Sequence, residues 1–149
     1  MSKNMTIEKT FVSAVQNHQK KNFEVAENLY NKILEISPNH IETIFLLGTL
    51  LAQTKKFDLA KKLLNKSILI KPDHAEAHYN LGLIFAELKE FQKAINYYQK
   101  AIQIKPDHVG AHNNLGNTLK ELGKFHKAID CFQKAIQIKP DHVGAHNNL

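Results

Sequence analysis

Residues 91–125 read FQKAINYYQKAIQIKPDHVGAHNNLGNTLKELGKF, and from Phe125 to Leu149 the chain begins the same text again as FHKAIDCFQKAIQIKPDHVGAHNNL. The step is 34 residues, and it governs the rest of the sequence. Pro38, Pro72, Pro106 and Pro140 are the only prolines, and the same beat carries Phe23, Phe57, Phe91 and Phe125, Ala26, Ala60, Ala94 and Ala128, and Lys32, Lys66, Lys100 and Lys134. Self-similarity at this period marks an array of stacked units, each burying its apolar face on its neighbour. Ending each unit two residues after its proline gives repeats 7–40, 41–74, 75–108 and 109–142, a partial repeat 143–149 and a leader 1–6.

Inside a repeat the apolar residues follow helical spacing. Ala77, Leu81, Ile84, Phe85 and Leu88 mark one face of a first helix, and Ala94, Ile95, Tyr98, Ala101 and Ile102 mark one face of a second. A polar turn such as Leu88-Lys89-Glu90-Phe91 joins them. The second helix ends at Lys-Pro-Asp-His, because the residue before proline is pushed out of the α region, and the Asp that follows is expected to cap the next helix. Gly48, Gly82 and Gly116 stand inside first helices, where glycine costs about 1 kcal/mol against alanine. Close approach of the paired helix would offset that cost, with Ala60, Ala94 and Ala128 as the expected receiving residues.

These residues together resemble the tetratricopeptide repeat family. The third repeat supplies His78, Leu81, Gly82, Phe85, Ala94, Tyr98, Ala101 and Pro106 at the family's signature places, and the fourth supplies His112, Leu115, Gly116, Leu119, Ala128, Phe132, Ala135 and Pro140. The family's usual Trp is missing throughout, with Thr10, Ile44, His78 and His112 in its place, and the first repeat has Ser13 and Asn17 where apolar residues are expected. A terminal helix with one face in water accommodates that second departure. The resemblance implies an all-α fold, a right-handed superhelical solenoid of antiparallel helix pairs with four full repeats and a partial fifth. It also implies that first helices line a concave groove that takes the ligand.

On the family's pattern the groove receives Glu8, Phe11, Val12, Val15, His18 and Gln19 from the first repeat and Glu42, Phe45, Leu46, Thr49, Ala52 and Gln53 from the second. Glu76, Tyr79, Asn80, Leu83, Ala86 and Glu87 follow, then Gly110, Asn113, Asn114, Asn117, Lys120 and Glu121, then Gly144, Asn147 and Asn148. Its character shifts from apolar and aromatic to asparagine-rich. A side-chain amide both donates and accepts hydrogen bonds, which suits Asn80, Asn114 and Asn148 to hold the backbone of an extended segment. They resemble the asparagine ladder in the repeats of O-linked N-acetylglucosamine transferase. The expected peptide-binding residues are Phe45, Thr49, Tyr79, Asn80, Leu83, Asn113, Asn114, Asn117, Asn147 and Asn148. The family's clamp for acidic chaperone C-termini needs Lys and Arg where this chain has Phe45, Thr49, Asn80, Gly110 and Asn114, so that clamp is not expected.

Charge and composition narrow the alternatives. Hydrophobic residues make up 43% and charged residues 23% of the chain, no apolar run is long enough to cross a membrane, and MSKNMTIEKTF has no secretory apolar stretch, so a cytoplasmic protein without a membrane partner is expected. The net charge is +6, yet every one of the 20 basic residues is Lys, and no aromatics interleave the stripe Lys32, Lys66, Lys100 and Lys134. Without the bidentate contacts of Arg, this pattern weighs against nucleic acid and for a solvated lysine face. His74 and His78, His108 and His112, and His142 and His146 have the i, i+4 spacing of paired metal ligands, but no third or fourth ligand accompanies them. The expectation is therefore no metal and no cofactor, the first histidine of each pair standing at a helix entrance and the second in the core. Cys131 reads as a half-buried structural thiol.

No phosphate-cradling loop, nucleophile motif or convergent carboxylate pair occurs, so the segment is not expected to be an enzyme. Its expected partner is a protein or peptide. Because residues 101–115 and 135–149 are the same fifteen residues, the sequence stops early in another first helix. A chain that continues beyond Leu149 is expected, with the last half-helix fraying or stacking on another copy. The opening repeats, AENLYNKILEISPNHIETIFLLG, are similar to leading repeats of bacterial proteins that carry a glycosyltransferase or sulfotransferase domain. A second reading is therefore a substrate-recruiting arm of such an enzyme.

Overall fold

The computed structural model describes residues 2–149, and among them every regular element is helical. The helices are α1 (Lys3–Gln19), α2 (Phe23–Ile36), α3 (Ile41–Gln53), α4 (Phe57–Ile70), α5 (Ala75–Glu87), α6 (Phe91–Ile104), α7 (Val109–Glu121), α8 (Phe125–Ile138) and α9 (Val143–Asn148). They fall into two compact units, one ending at Pro72 and one running from Asp73 to Leu149. In the first, α1 packs on α2, α3 on α4, and α2 on α3. In the second, α5 packs on α6, α7 on α8, and α6 on α7, while α9 covers part of α8 and α7. The helix α1 takes in residues 3–6 of the leader, with the Ser2 hydroxyl accepting from the Met5 N–H at 3.3 Å.

Each helix pair closes with the same turn. The Lys55 N–H donates to the Ala52 carbonyl at 3.0 Å and the Lys56 N–H to the Leu51 carbonyl at 2.8 Å. The same two bonds recur at Lys21 and Asn22, at Lys89 and Glu90, and at Gly123 and Lys124. This crossed pair is the Schellman closure, and it requires a left-handed residue at the first of the two donors. Lys21, Lys55 and Lys89 adopt φ of 62°, 61° and 59°, and Gly123 adopts 73°. Three turns therefore hold a lysine where glycine fits without strain.

The core of the first unit is built on Ala26, Tyr30, Ile33, Ile44, Leu50, Ala60 and Leu64, all without solvent exposure. That of the second is built on Ala77, Leu81, Ala94, Tyr98, Ala111, Phe132 and Ala135, with Leu88 outside it at the helix end. The helical glycines are met by large side chains, not by the alanines expected from sequence. A Cβ on Gly82 would stand 2.6 Å from Tyr98 Cε1, and one on Gly116 would stand 2.5 Å from Phe132 Cε1. On Gly48 it would stand 3.0 Å from Leu64 Cγ. A large side chain of the second helix packs directly against the glycine of the first, which explains a costly residue in a helix interior.

Gly82→Ala and Gly116→Ala are expected to lower stability by about 1–2 kcal/mol, because a rigid ring must move. Gly48→Ala should stay within about 0.5 kcal/mol of the parent, since Leu64 need yield by only a few tenths of an ångström and alanine favours helix. Urea melts of the three variants check the order. In the turns, Lys89→Gly should stabilise by about 0.5–1 kcal/mol by relieving the left-handed lysine, and a melt showing any loss would contradict that assignment.

Candidate functional site

After α1, the first helices begin on histidine. His40, His74, His108 and His142 each place Nδ1 at the backbone N–H three residues on, at 3.4, 3.0, 3.0 and 2.9 Å. This corrects the assignment of Asp73, Asp107 and Asp141 as caps. Pro106 and Asp107 occupy the middle of a turn closed by the His108 N–H on the Lys105 carbonyl at 3.1 Å. The aspartate is thus one residue too early to reach the exposed amides, and it points to solvent. An imidazole nitrogen that accepts from an amide leaves Nε2 to carry the ring proton in the neutral form.

In the last two pairs the second histidine works on the preceding loop. His112 Nε2 donates to the Pro106 carbonyl at 2.8 Å, and His146 Nε2 to the Pro140 carbonyl at 2.7 Å. His78 and His112 are buried as expected, whereas His146 is exposed. The i, i+4 spacing thus serves capping and loop closure. Among the described residues no group of three or more His, Cys, Asp or Glu is placed to hold a metal ion, and no helix is long and apolar enough to cross a membrane.

In the second unit α5, α7 and α9 lie side by side and bring expected site residues together. Asn114 Nδ2 on α7 donates to the Tyr79 hydroxyl on α5 at 2.8 Å. One repeat on, Asn148 Nδ2 donates to Asn113 Oδ1 at 3.2 Å. Tyr79 also lies against the His108 ring with centroids 4.5 Å apart, and His108 Nε2 stands 2.8 Å from Glu76 Oε1. A Cβ on Gly110 would come within 2.9 Å of the Tyr79 hydroxyl, so glycine here makes room for the phenol. Burial pushes the Tyr79 phenol above its ordinary pKa, the Asn114 hydrogen bond pulls it down, and the Glu76 charge raises it again. Asn80 is half-buried and Leu83 exposed on α5, Asn117 half-buried on α7, and Asn147 exposed on α9.

The first unit carries Phe45 and Thr49 on α3, both half-buried, and the Thr49 hydroxyl donates to the Phe45 carbonyl at 2.9 Å. Its more developed feature lies at the other end of the helices. His18 Nε2 meets Gln53 Oε1 at 2.8 Å and His18 Nδ1 meets the Tyr30 hydroxyl at 3.1 Å. An amide oxygen only accepts, so Nε2 carries the proton and the Tyr30 O–H donates to Nδ1. Burial pushes the Tyr30 phenol up to about 12, which keeps that proton in place. Beside this relay is an open cavity of about 390 Å³ that also draws on Phe23 and Lys21. The repeat register assigns Tyr30 to the core and Lys21 to a turn, so the spacing alone did not single them out.

Outside these faces, the lysine stripe is not uniformly solvated. Lys66 is half-buried and donates to the Pro38 carbonyl at 2.8 Å, whereas Lys32, Lys100 and Lys134 are exposed. Cys131 is half-buried, and burial followed by the Asp130 charge pushes its thiol above the ordinary range, as suits an unreactive side chain.

The sequence matches the tetratricopeptide repeat family over residues 41–107 and again over 73–141. No curated protein matches it. Among solved structures, a MamA protein is 29% identical with a TM-score of 0.85, over 97% of this chain and 79% of that one. Another MamA structure is 30% identical with a TM-score of 0.82, over 91% of this chain and 79% of that one. YrrB, described as a TPR protein with an unusual peptide-binding site, is 23% identical with a TM-score of 0.81, over 93% of this chain and 71% of that one, a likeness of fold alone. The helical array read from the 34-residue step is the fold shared with these solenoids.

The capping assignment has a direct check. His108→Ala should cost about 1–2 kcal/mol, since it strips a helix start of its acceptor, whereas Asp107→Ala should cost less than about 0.5 kcal/mol, as an exposed change away from any cap does. Thermal melts giving the reverse order would restore the aspartate.

Proposed function

Because the chain belongs to the tetratricopeptide repeat family, whose stacked helices present extended binding surfaces, we propose that it is a protein-interaction module holding an extended segment. In the second unit the segment lies along α5, α7 and α9. Tyr79 and Leu83 supply apolar contact, and the amides of Asn80, Asn114 and Asn148 fix the ligand backbone. In the first unit Phe45 serves as an anchor on α3.

The observation that carries this reading is the pair of bonds from Asn114 to Tyr79 and from Asn148 to Asn113. An amide tethered through one N–H keeps an oxygen and a second N–H for a ligand, and its orientation is fixed before the ligand arrives. Preorganisation of this kind lowers the ordering cost of binding. YrrB provides a case of the same fold with a peptide-binding site. The segment itself needs no catalytic group for this task.

Panning a displayed library of random peptides against the protein tests the reading. Selected peptides should bind about tenfold more weakly to Asn114→Ala, the loss expected from one or two ligand hydrogen bonds, and equally well to Lys134→Ala on α8. Unchanged affinity for Asn114→Ala, with exchange protection confined to α6 and α8, would overturn it.

A further inference from the structure

The cavity beside His18 has a chemistry of its own. Val15, Phe23 and Leu46 give it apolar walls. Its polar groups are biased towards donors, because the Gln53 oxygen and His18 Nδ1 are already used within the relay. What Gln53 then offers is its NH₂ group, and Lys21 and Gln19 add an ammonium and a second amide at the rim. No carboxylate lines the cavity. The wider field agrees: residues 1–72 hold eleven lysines against six carboxylates, while residues 73–149 hold nine against eight. Two opposing terms are the C-terminal ends of α1 and α3, each equivalent to about half a negative charge, since Gln19 and Gln53, which close these helices, both line the cavity. Most of their last carbonyls are already bonded, those of Gln16, His18 and Asn17 by the N–H groups of Lys20, Lys21 and Asn22 and those of Leu50, Leu51 and Ala52 by the N–H groups of Thr54, Lys56 and Lys55. The full charge of Lys21 together with the N-terminal end of α2 at Phe23 outweighs them.

We propose that this cavity is a specificity pocket for a glutamate side chain of a peptide ligand, with the methylenes against Val15, Phe23 and Leu46 and the carboxylate between Gln53 and Lys21. The pocket is a second determinant, separate from the asparagine face, and rests on the reading of the protein as a peptide-binding module. The relay is its positioning device: the Tyr30 hydroxyl holds His18, and His18 holds the Gln53 amide with its donors turned to the ligand.

The test uses the whole chain and a small probe, N-acetyl-glutamate N-methylamide, followed by nuclear magnetic resonance of side-chain amides and imidazoles. Saturable shifts are expected at Gln53 and His18, weaker with the glutamine analogue and absent with the lysine analogue. Lys21→Gly removes the ammonium while giving the left-handed position the residue that suits it, so the fold is kept and the glutamate response should weaken about fivefold, as for loss of a partly exposed charge partner. Equal shifts with the glutamine analogue, or an unchanged response in Lys21→Gly, would overturn the carboxylate pocket. So would the absence of any shift at His18 and Gln53. The two proposals fail separately: library peptides that need Asn114 while the glutamate probe leaves the pocket unmoved sink the pocket alone. A saturable pocket response beside library peptides indifferent to Asn114 sinks the asparagine face alone.

Discussion

The contact between a glycine in one helix and a large side chain in its partner sets the spacing of the second, third and fourth repeats. Tyr98 lies on Gly82 and Phe132 on Gly116 so closely that a single added methyl has no room. That closeness brings the first helix down onto the second and leaves its opposite face free to carry other chemistry. The Schellman turns then return the chain at a fixed angle, even where a lysine must take a left-handed conformation to do so. The rest of the molecule, caps and asparagines included, hangs on first helices positioned by these two devices.

Much of this could be read in the sequence because a period is a global constraint. Proline, phenylalanine and alanine stepping together located every helix pair, and helical spacing located the core. Where the reading went astray, the cause was local geometry. Asp107 is the better cap by propensity, but the turn through Pro106 consumes it and the cap falls to His108. The alanines of the second helices looked like the receiving surface for the glycines because small residues suit close approach, yet the side chains that reach across are Leu64, Tyr98 and Phe132. A residue type says what it can do, and only the backbone path says which neighbour it meets.

The site was readable to a different depth in each unit. Asn114 and Asn148 stood out by repetition, but their bonds run to Tyr79 and Asn113 in the preceding repeat, a relation no single-repeat pattern expresses. The repeat register puts His18 and Gln53 on the groove face, but their relay through Tyr30 joins three helices and emerges only when α1, α2 and α3 are assembled. Periodicity finds what recurs, and a site that occurs once escapes it.

The identical stretches 101–115 and 135–149 show what repetition does not copy. Asn114 and Asn148 occupy the same place in the same sequence, yet one amide faces a phenol and the other faces an amide. Binding character therefore belongs to the joint between successive repeats and not to the repeat. Duplicating a unit during evolution would lengthen the array at once, but the new seam would bring its own pairing of side chains. Such a protein can acquire recognition by changing the order of its parts, with no change in the parts themselves.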